Sequence, residues 1–136
     1  YFSQIFFKPP EGGGPKPAHQ DNFYFGPNDL DGLVTAWVAL SDSHADNGAM
    51  AVIPGTHKLD QVPHRDTFSD NNLLSRGQEI AVDIDESQAV RLDLKAGEMS
   101  LHHVRISQPP EGTSQTQRHL GHRQSTCRAT TAGAVR

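Results

Sequence analysis

The sequence has 136 residues, enough for one small domain, with a hydrophobic fraction of 35% and a formal net charge of −4 at pH 7. An acidic chain that lacks basic patches interleaved with aromatic residues argues against a nucleic acid as partner, and no apolar run is long enough to span a membrane. The single cysteine, Cys127, excludes a disulfide within the chain and predicts a reducing compartment, the cytoplasm. These features leave the oligomeric state open.

Strand-like segments dominate the first half of the chain. Residues 3–8 are rich in aromatic and β-branched side chains and end at two prolines, which predicts a strand closed by a turn. Residues 33–40 form a nearly continuous apolar run, typical of a buried central strand. Asn47 and Gly48 favour a turn, and residues 49–53 predict the strand that follows it.

The second half repeats this pattern after a polar stretch. Residues 59–76 show no clear period and predict a long surface loop, with one short helical turn at 72–75. Alternating apolar residues at 80–84 and at 90–94 predict two half-buried strands, and residues 99–106 predict the last one. Short strands with almost no helical periodicity favour an all-β antiparallel sandwich.

A His and an Asp two residues apart form the clearest chemical motif, His19-Gln20-Asp21. On an extended segment, side chains two apart lie on the same side, so an imidazole nitrogen and a carboxylate oxygen can hold two corners of one metal site. A second His from a distant strand would complete the two-His-one-carboxylate arrangement, which leaves three positions open on ferrous iron. A His-x-Asp pair also occurs often by chance in solvated loops.

Several further motifs accompany this pair in a fixed order. They are Lys8-Pro9-Pro10, Ala36-Trp37, Asn47-Gly48, Pro54-Gly55-Thr56-His57-Lys58 and the strand-like residues 97–106. In this order and spacing, residues 1–106 resemble the phytanoyl-CoA dioxygenase family of iron- and 2-oxoglutarate-dependent oxygenases. The resemblance implies a double-stranded β-helix (jelly roll), incomplete at both ends, and Fe(II) with 2-oxoglutarate and dioxygen as co-substrates. It implies hydroxylation of a small organic or acyl substrate.

The resemblance also implies roles for individual residues. His19 and Asp21 would bind the metal, Trp37 would form a wall of the 2-oxoglutarate pocket, and Gln20 would touch the same co-substrate. Arg118 lies near the position of the arginine that clamps the far carboxylate of 2-oxoglutarate. For Trp37, core packing is the alternative interpretation.

The third metal ligand departs from the family pattern. Counting from Gly97, the distal His position falls on Gln108, whose neutral amide oxygen is a weak ligand for ferrous iron. His102 and His103 are alternatives. They point to opposite faces of a strand, so at most one of them can face the interior of the barrel.

Residues 107–136 resemble no part of the family. They carry four Arg against one Glu and only two large aliphatic residues, Leu120 and Val135. We therefore predict an oxygenase domain at 1–106, itself a fragment, followed by an atypical tail that is disordered or misjoined. The alternative function is a catalytically inactive jelly-roll binding module or remnant that lacks the distal His and the arginine clamp.

Overall fold

The computed structural model describes residues 2–8, 16–26, 29, 31–68, 77–110 and 119–127, the last of these by their backbone alone. Ten strands lie in the described part of the chain: β1 (Phe2–Lys8), β2 (His19–Gln20), β3 (Leu33–Ala39), β4 (Ala51–Val52), β5 (His64–Asp66), β6 (Gln78–Ile80), β7 (Val90–Arg91), β8 (Met99–His103), β9 (Ser107–Gln108) and β10 (His119–Cys127). A short helix, α1 (Asp21–Phe25), and three 3₁₀ turns, Ala45–Asn47, Thr56–Lys58 and Glu86–Gln88, accompany them.

The strands pair in antiparallel fashion throughout the described residues. The largest sheet has four strands in the order β1-β10-β3-β8, and the remaining pairs are β2-β9, β4-β7 and β5-β6. Strands far apart in the sequence are neighbours in each of the first two groups, as the antiparallel sandwich predicted from the sequence requires. No helix in the described residues is long and apolar enough to cross a membrane.

The core lies on the inner face of β3, the strand predicted at 33–40. Trp37 of β3 is the largest residue of this core and is 6% exposed. It packs against Phe6 of β1 and Met50, with Leu92 and Leu94 at the edge of the cluster. The Phe6 and Trp37 rings are 5.8 Å apart between centroids and inclined by 45°. Burial of large aromatic surface of this kind is a main source of stability in a small domain.

We expect Trp37→Ala to lower the free energy of unfolding by about 3–5 kcal/mol, because the truncation leaves a cavity in the core. Denaturant unfolding of the metal-free chain measures this. Leu59→Ala is the matched control, since Leu59 is 56% exposed. Equal and small losses in the two variants would contradict the assignment of Trp37 to the core.

Four of the predicted strands, β4, β6, β7 and β8, are shorter than expected by two or more residues, and β5 was missed inside a predicted loop. β6 ends at Ile80, and Val82 and Val90 are 44% and 49% exposed. The predicted buried face is therefore present only in part, at Ile80, Leu92 and Leu94. The loop predicted at 59–76 contains β5, which pairs with β6. The Ile80 N–H also donates to the Ala18 carbonyl at 2.7 Å, which ties β6 to the segment that leads into β2. Backbone hydrogen bonds between β5 and β6 determine these short strands. Their side chains are mostly polar, so the sequence shows no apolar pattern that would predict them.

The prediction that no strand follows residue 106 is wrong. β9 pairs with β2, and β10 lies between β1 and β3 with seven paired residues on each side. Backbone N–H and C=O groups form a ladder whatever the side chains are, so a composition poor in apolar residues does not prevent pairing. The boundary predicted at residue 106 and the misjoined ending remain hypotheses. The helical turn predicted at 72–75 lies outside the described residues.

Candidate metal centre

His19 and Asp21 meet at the junction of β2 and α1. Gln20 between them is extended, with φ −119° and ψ 135°, and α1 begins at Asp21. Side chains on either side of an extended residue point the same way, so the period-two argument holds although Asp21 belongs to a helix. His19 Nε2 lies 3.5 Å from Asp21 Oδ1, and the two side chains are 1% and 0% exposed.

The His19 ring is oriented by the backbone. Its Nδ1 lies 2.9 Å from the Pro17 carbonyl, so the Nδ1–H donates and the lone pair of Nε2 faces Asp21. Histidines that bind metals commonly donate their other ring N–H to a carbonyl in this way. The tautomer is therefore the one that a metal ligand needs.

The two oxygens of Asp21 have different surroundings. Oδ1 faces His19, whereas Oδ2 accepts a hydrogen bond of 2.8 Å from the Thr35 hydroxyl on β3. His102 Nε2 on β8 lies 3.6 Å from the same Oδ2. Oδ1 is thus the oxygen positioned to share a metal ion with His19.

Gln108 lies directly across a strand pair from His19. In the antiparallel pairing of β9 with β2, Gln108 is opposite His19 and Ser107 is opposite Gln20. Gln108 is 2% exposed, and neither atom of its amide has a hydrogen-bond partner among the described residues. A buried amide normally has partners. A distant strand therefore brings an unsatisfied amide to the neighbourhood of the ligand pair, and no imidazole.

The motif at residues 54–58 holds β9 in place. Gly55 has a φ of +85°, which favours glycine, and the 3₁₀ turn at Thr56–Lys58 follows it. The Thr56 hydroxyl accepts a hydrogen bond from the Ser107 N–H at 2.8 Å and donates to the Ile53 carbonyl at 2.7 Å. The Ile53 N–H donates to the Ser107 carbonyl at 2.9 Å. This turn thereby fixes the strand that carries Gln108.

The donor set fits a ferrous ion at two positions. His19 and Asp21 supply one imidazole nitrogen and one carboxylate oxygen, which are ligand types that iron accepts. Across the described residues, no group of three or more His, Cys, Asp or Glu side chains is placed to hold a metal ion. Among the described residues, the further candidate ligands near this pair are the Gln108 amide oxygen, at the distal position predicted from the sequence, and His102.

His102 and His103 lie on opposite faces of β8, as predicted for neighbours on a strand. His102 is 8% exposed and faces Asp21. His103 Nε2 lies 3.4 Å from Asp31 Oδ1, and its Nδ1 accepts a hydrogen bond from the Arg105 N–H at 3.1 Å. Burial, and next the nearby Arg105, hold the pKa of His103 below its ordinary value. Only His102 belongs to the neighbourhood of the metal ligands.

Gln20 forms a cross-link between backbone segments. Its side chain is fully buried, its amide Nε2 donates to the Arg105 carbonyl at 2.7 Å, and its Oε1 accepts from the Val62 N–H at 3.0 Å. Its contact with 2-oxoglutarate stays a prediction, as does that of Trp37, and Arg118 lies outside the described residues.

Sequence reasoning missed the role of His64, which lies in the stretch 59–76 that we predicted to be a surface loop. It is partly buried, and its ring stacks on Phe23 at 4.2 Å between centroids. Its Nδ1–H donates to the Val62 carbonyl at 2.8 Å, and its Nε2 accepts the Gln20 N–H at 3.2 Å. His64 therefore supports the backbone between the two ligands. The sequence carries no signal for this role, because the contact spans 44 residues.

The neutral form of His64 is the one that fits. Burial lowers the pKa of this imidazole from 6.5, while its hydrogen bond to Val62 acts in the opposite sense and more weakly. As the pH falls, His64 therefore binds a proton at a higher pH in the unfolded chain than in the folded one. Stability is complete above pH 6.5 and is lost as the pH falls from there toward the lowered folded pKa.

We expect His64→Gln to reduce this loss, because the glutamine oxygen accepts the Gln20 N–H without titrating. Melting temperatures of both chains between pH 8 and pH 5.5 measure the effect. The wild-type chain should lose more stability than the variant over this interval. Parallel pH profiles would contradict the account of His64.

The chain contains three His-x-Asp sequences, and burial distinguishes them. His44 and Asp46 have side chains 38% and 79% exposed, with Nδ1 and Oδ2 3.8 Å apart. His64 and Asp66 lie on β5, where His64 carries the contacts described above. His19 and Asp21 alone among these pairs are fully enclosed, and the spacing in the sequence does not reveal this difference.

A cavity of about 300 Å³ lies between β8 and β4, and His102 is part of its wall. Apolar side chains dominate its wall, and His102 connects it to Asp21. Its full lining is Val52, His57, Leu92, Ser100, Leu101, His102, His103 and Ile106. This volume is at the lower end of the range of small-molecule pockets.

Comparison with known proteins agrees with the resemblance seen in the sequence. The family model described as phytanoyl-CoA dioxygenase (PhyH) matches residues 1–107. A probable alpha-ketoglutarate-dependent hypophosphite dioxygenase from Stutzerimonas stutzeri is 37% identical over 105 residues, which are 76% of this chain and 36% of that protein. A phytanoyl-CoA dioxygenase from Arabidopsis thaliana is 34% identical over 120 residues, 86% of this chain and 40% of that protein. The chain thus spans less than half the length of these relatives.

A solved structure supports the same assignment. The apo form of ThoJ, a non-heme monooxygenase, superposes with a TM-score of 0.73 at 29% identity and covers 93% of this chain and 47% of that one. The jelly-roll fold predicted from the sequence is confirmed by this likeness together with the strand pairing. The chain therefore belongs to the phytanoyl-CoA dioxygenase family, whose members use Fe(II) and 2-oxoglutarate.

Proposed function

We propose that this chain carries the iron-binding part of a Fe(II)- and 2-oxoglutarate-dependent dioxygenase that hydroxylates a small organic or acyl substrate. The observation that carries the proposal is the enclosed His19 and Asp21 pair, with donor atoms 3.5 Å apart. His102, which lies 3.6 Å from Asp21 Oδ2, also lines a cavity of about 300 Å³. The named substrates of the relatives differ, one being hypophosphite and another phytanoyl-CoA. No single compound follows from these names, so the proposal goes no further than the class of substrate.

The residues of this chain would bind the metal ion, fix the orientation of its ligands and exclude water from the site. His19 Nε2 and Asp21 Oδ1 would hold the ion, and the Pro17 carbonyl keeps the His19 ring in the required tautomer. Bound ferrous iron, with 2-oxoglutarate as the electron donor, would supply the activation of dioxygen that hydroxylation needs. The apolar side chains of Val52, Leu92 and Ile106 would keep water from the reacting groups.

A second candidate function is a jelly-roll binding module without catalysis. Gln108 favours it, because an amide stands opposite His19 where an imidazole would complete the ligand set. A site with two strong ligands binds iron weakly, and turnover needs both the metal and a held co-substrate. The two functions differ in whether 2-oxoglutarate binds through a metal.

Anaerobic titration with Fe(II) and then 2-oxoglutarate separates the two candidates. In the oxygenase, the co-substrate chelates the ion and produces a visible metal-to-ligand charge-transfer band, weak in the wild-type chain and stronger in Gln108→His. The band should be lost in Asp21→Ala. Absence of the band from both the wild-type chain and Gln108→His would reject the oxygenase and favour the binding module.

A further inference from the structure

Two side chains from different strands lie close to Oδ2 of Asp21, the carboxylate oxygen that does not face His19. Thr35 on β3 and His102 on β8 are opposite each other in the antiparallel register, and both are buried. The Thr35 hydroxyl donates to Asp21 Oδ2 at 2.8 Å, and His102 Nε2 lies 3.6 Å from the same atom. Met99 and Leu101, which alternate with His102 along β8, are 52% and 64% exposed. His102 therefore belongs to the inner face of its strand.

His102 has unused hydrogen-bonding capacity in a position where burial makes that costly. Neither ring nitrogen has a hydrogen-bond partner within the described residues, although the side chain is 5% exposed. An N–H···O hydrogen bond is about 2.7–3.2 Å long, so a shift of roughly half an ångström would join Nε2–H to Oδ2. Hydrogen bonds in a functional site are often long in the unliganded protein and shorten when the ligand binds.

The geometry points to His102 as a positioning residue for Asp21. We infer that its Nε2–H, together with the Thr35 hydroxyl, holds Oδ2 and so leaves Oδ1 to bind the metal. This inference rests on the proposed function, since it assumes that Asp21 is a ligand. Groups that hold the second oxygen of a metal-binding carboxylate fix its orientation, and losing one costs about 10–100-fold in metal affinity.

A role for His102 as the third ligand is the competing assignment. His102 lies beside Oδ2, whereas His19 lies beside Oδ1, so the two imidazoles contact different oxygens of the carboxylate. No three-residue ligand cluster is present in the part of the chain that the structure describes. The positions of the atoms thus favour support of the carboxylate over direct coordination.

Affinity for Cu(II), which binds nitrogen and oxygen sites tightly, tests the inference. We expect His102→Leu to lower affinity by about 10–100-fold. His102→Gln should stay within a few-fold of wild type, because its amide N–H can still donate to Oδ2. His44→Leu is the control for loss of a histidine elsewhere. Melting temperatures of the metal-free variants show that each is folded. If His102→Leu fails to fold, the Gln variant and the spectroscopy below still test the inference.

Electron spin echo envelope modulation counts the imidazoles bound to Cu(II). One bound imidazole in the wild-type chain, lost in His19→Ala and retained in His102→Gln, is the expected result. Two imidazoles in the wild-type chain and one in His102→Gln would overturn the inference by making His102 a ligand. Equal affinity in wild type and His102→Leu would also overturn it while leaving the proposed function intact. A signal that survives both His19→Ala and Asp21→Ala would instead reject the metal site itself.

Discussion

Replacing Gln108 by His should raise the affinity for Fe(II) by more than about 100-fold. This exceeds the effect of about 10–100-fold that is typical of mutating a residue that hydrogen-bonds to a metal ligand. The residue is 2% exposed, lies opposite His19 and has an amide without partners among the described residues. Imidazole nitrogen is a far better ligand for ferrous iron than a neutral amide oxygen. Anaerobic equilibrium dialysis of Fe(II) measures the change.

Gln88→His is the matched control for this gain. Gln88 lies in the exposed 3₁₀ turn at Glu86–Gln88, so the variant adds a histidine without placing it near the ligand pair. Its affinity for Fe(II) should equal that of the wild-type chain. An equal rise in both variants, or no rise in Gln108→His, would contradict the position that we assign to Gln108.

His19→Ala and Asp21→Ala should each abolish saturable Fe(II) binding. Each change removes one of the two strong ligands from a site for which the described residues form no three-ligand cluster, so the remaining donors cannot compete with water. The measurement is iron stoichiometry after anaerobic loading and desalting. Unchanged stoichiometry in both variants would refute the metal assignment.

The chain supplies its own control for this second prediction. His44 and Asp46 have the same spacing as His19 and Asp21, but their side chains are 38% and 79% exposed. His44→Ala and Asp46→Ala should leave the iron stoichiometry unchanged. Loss of iron in these variants as well would mean that binding is not specific to the enclosed pair.

Local patterns in the sequence predicted the parts of the molecule that local patterns determine. Residues 3–8 and 33–40 correspond to β1 (Phe2–Lys8) and β3 (Leu33–Ala39), because dense apolar and β-branched residues favour buried strands. Burial of Trp37 agrees with the core interpretation that the sequence left open. The spacing of His19 and Asp21 predicted their approach, since period two depends only on the residue between them.

Contacts between distant segments could not be read in the same way. His64 supports Gln20 across 44 residues, and His102 reaches Asp21 through the pairing of β8 with β3. β10 forms between β1 and β3 through backbone hydrogen bonds, for which its side chains give no signal. The resemblance placed Gln108 by counting from Gly97. The register of the β2–β9 pair then places Gln108 opposite His19. A pairing between segments so far apart leaves no local pattern in the sequence.

Crystals loaded anaerobically with Fe(II) and measured at the iron absorption edge test the central claim most directly. We predict one anomalous-difference peak within bonding distance of both His19 Nε2 and Asp21 Oδ1. A peak at His44 and Asp46, a peak at His64 and Asp66, or no peak in a crystal of the Gln108→His variant would contradict the assignment of the metal centre.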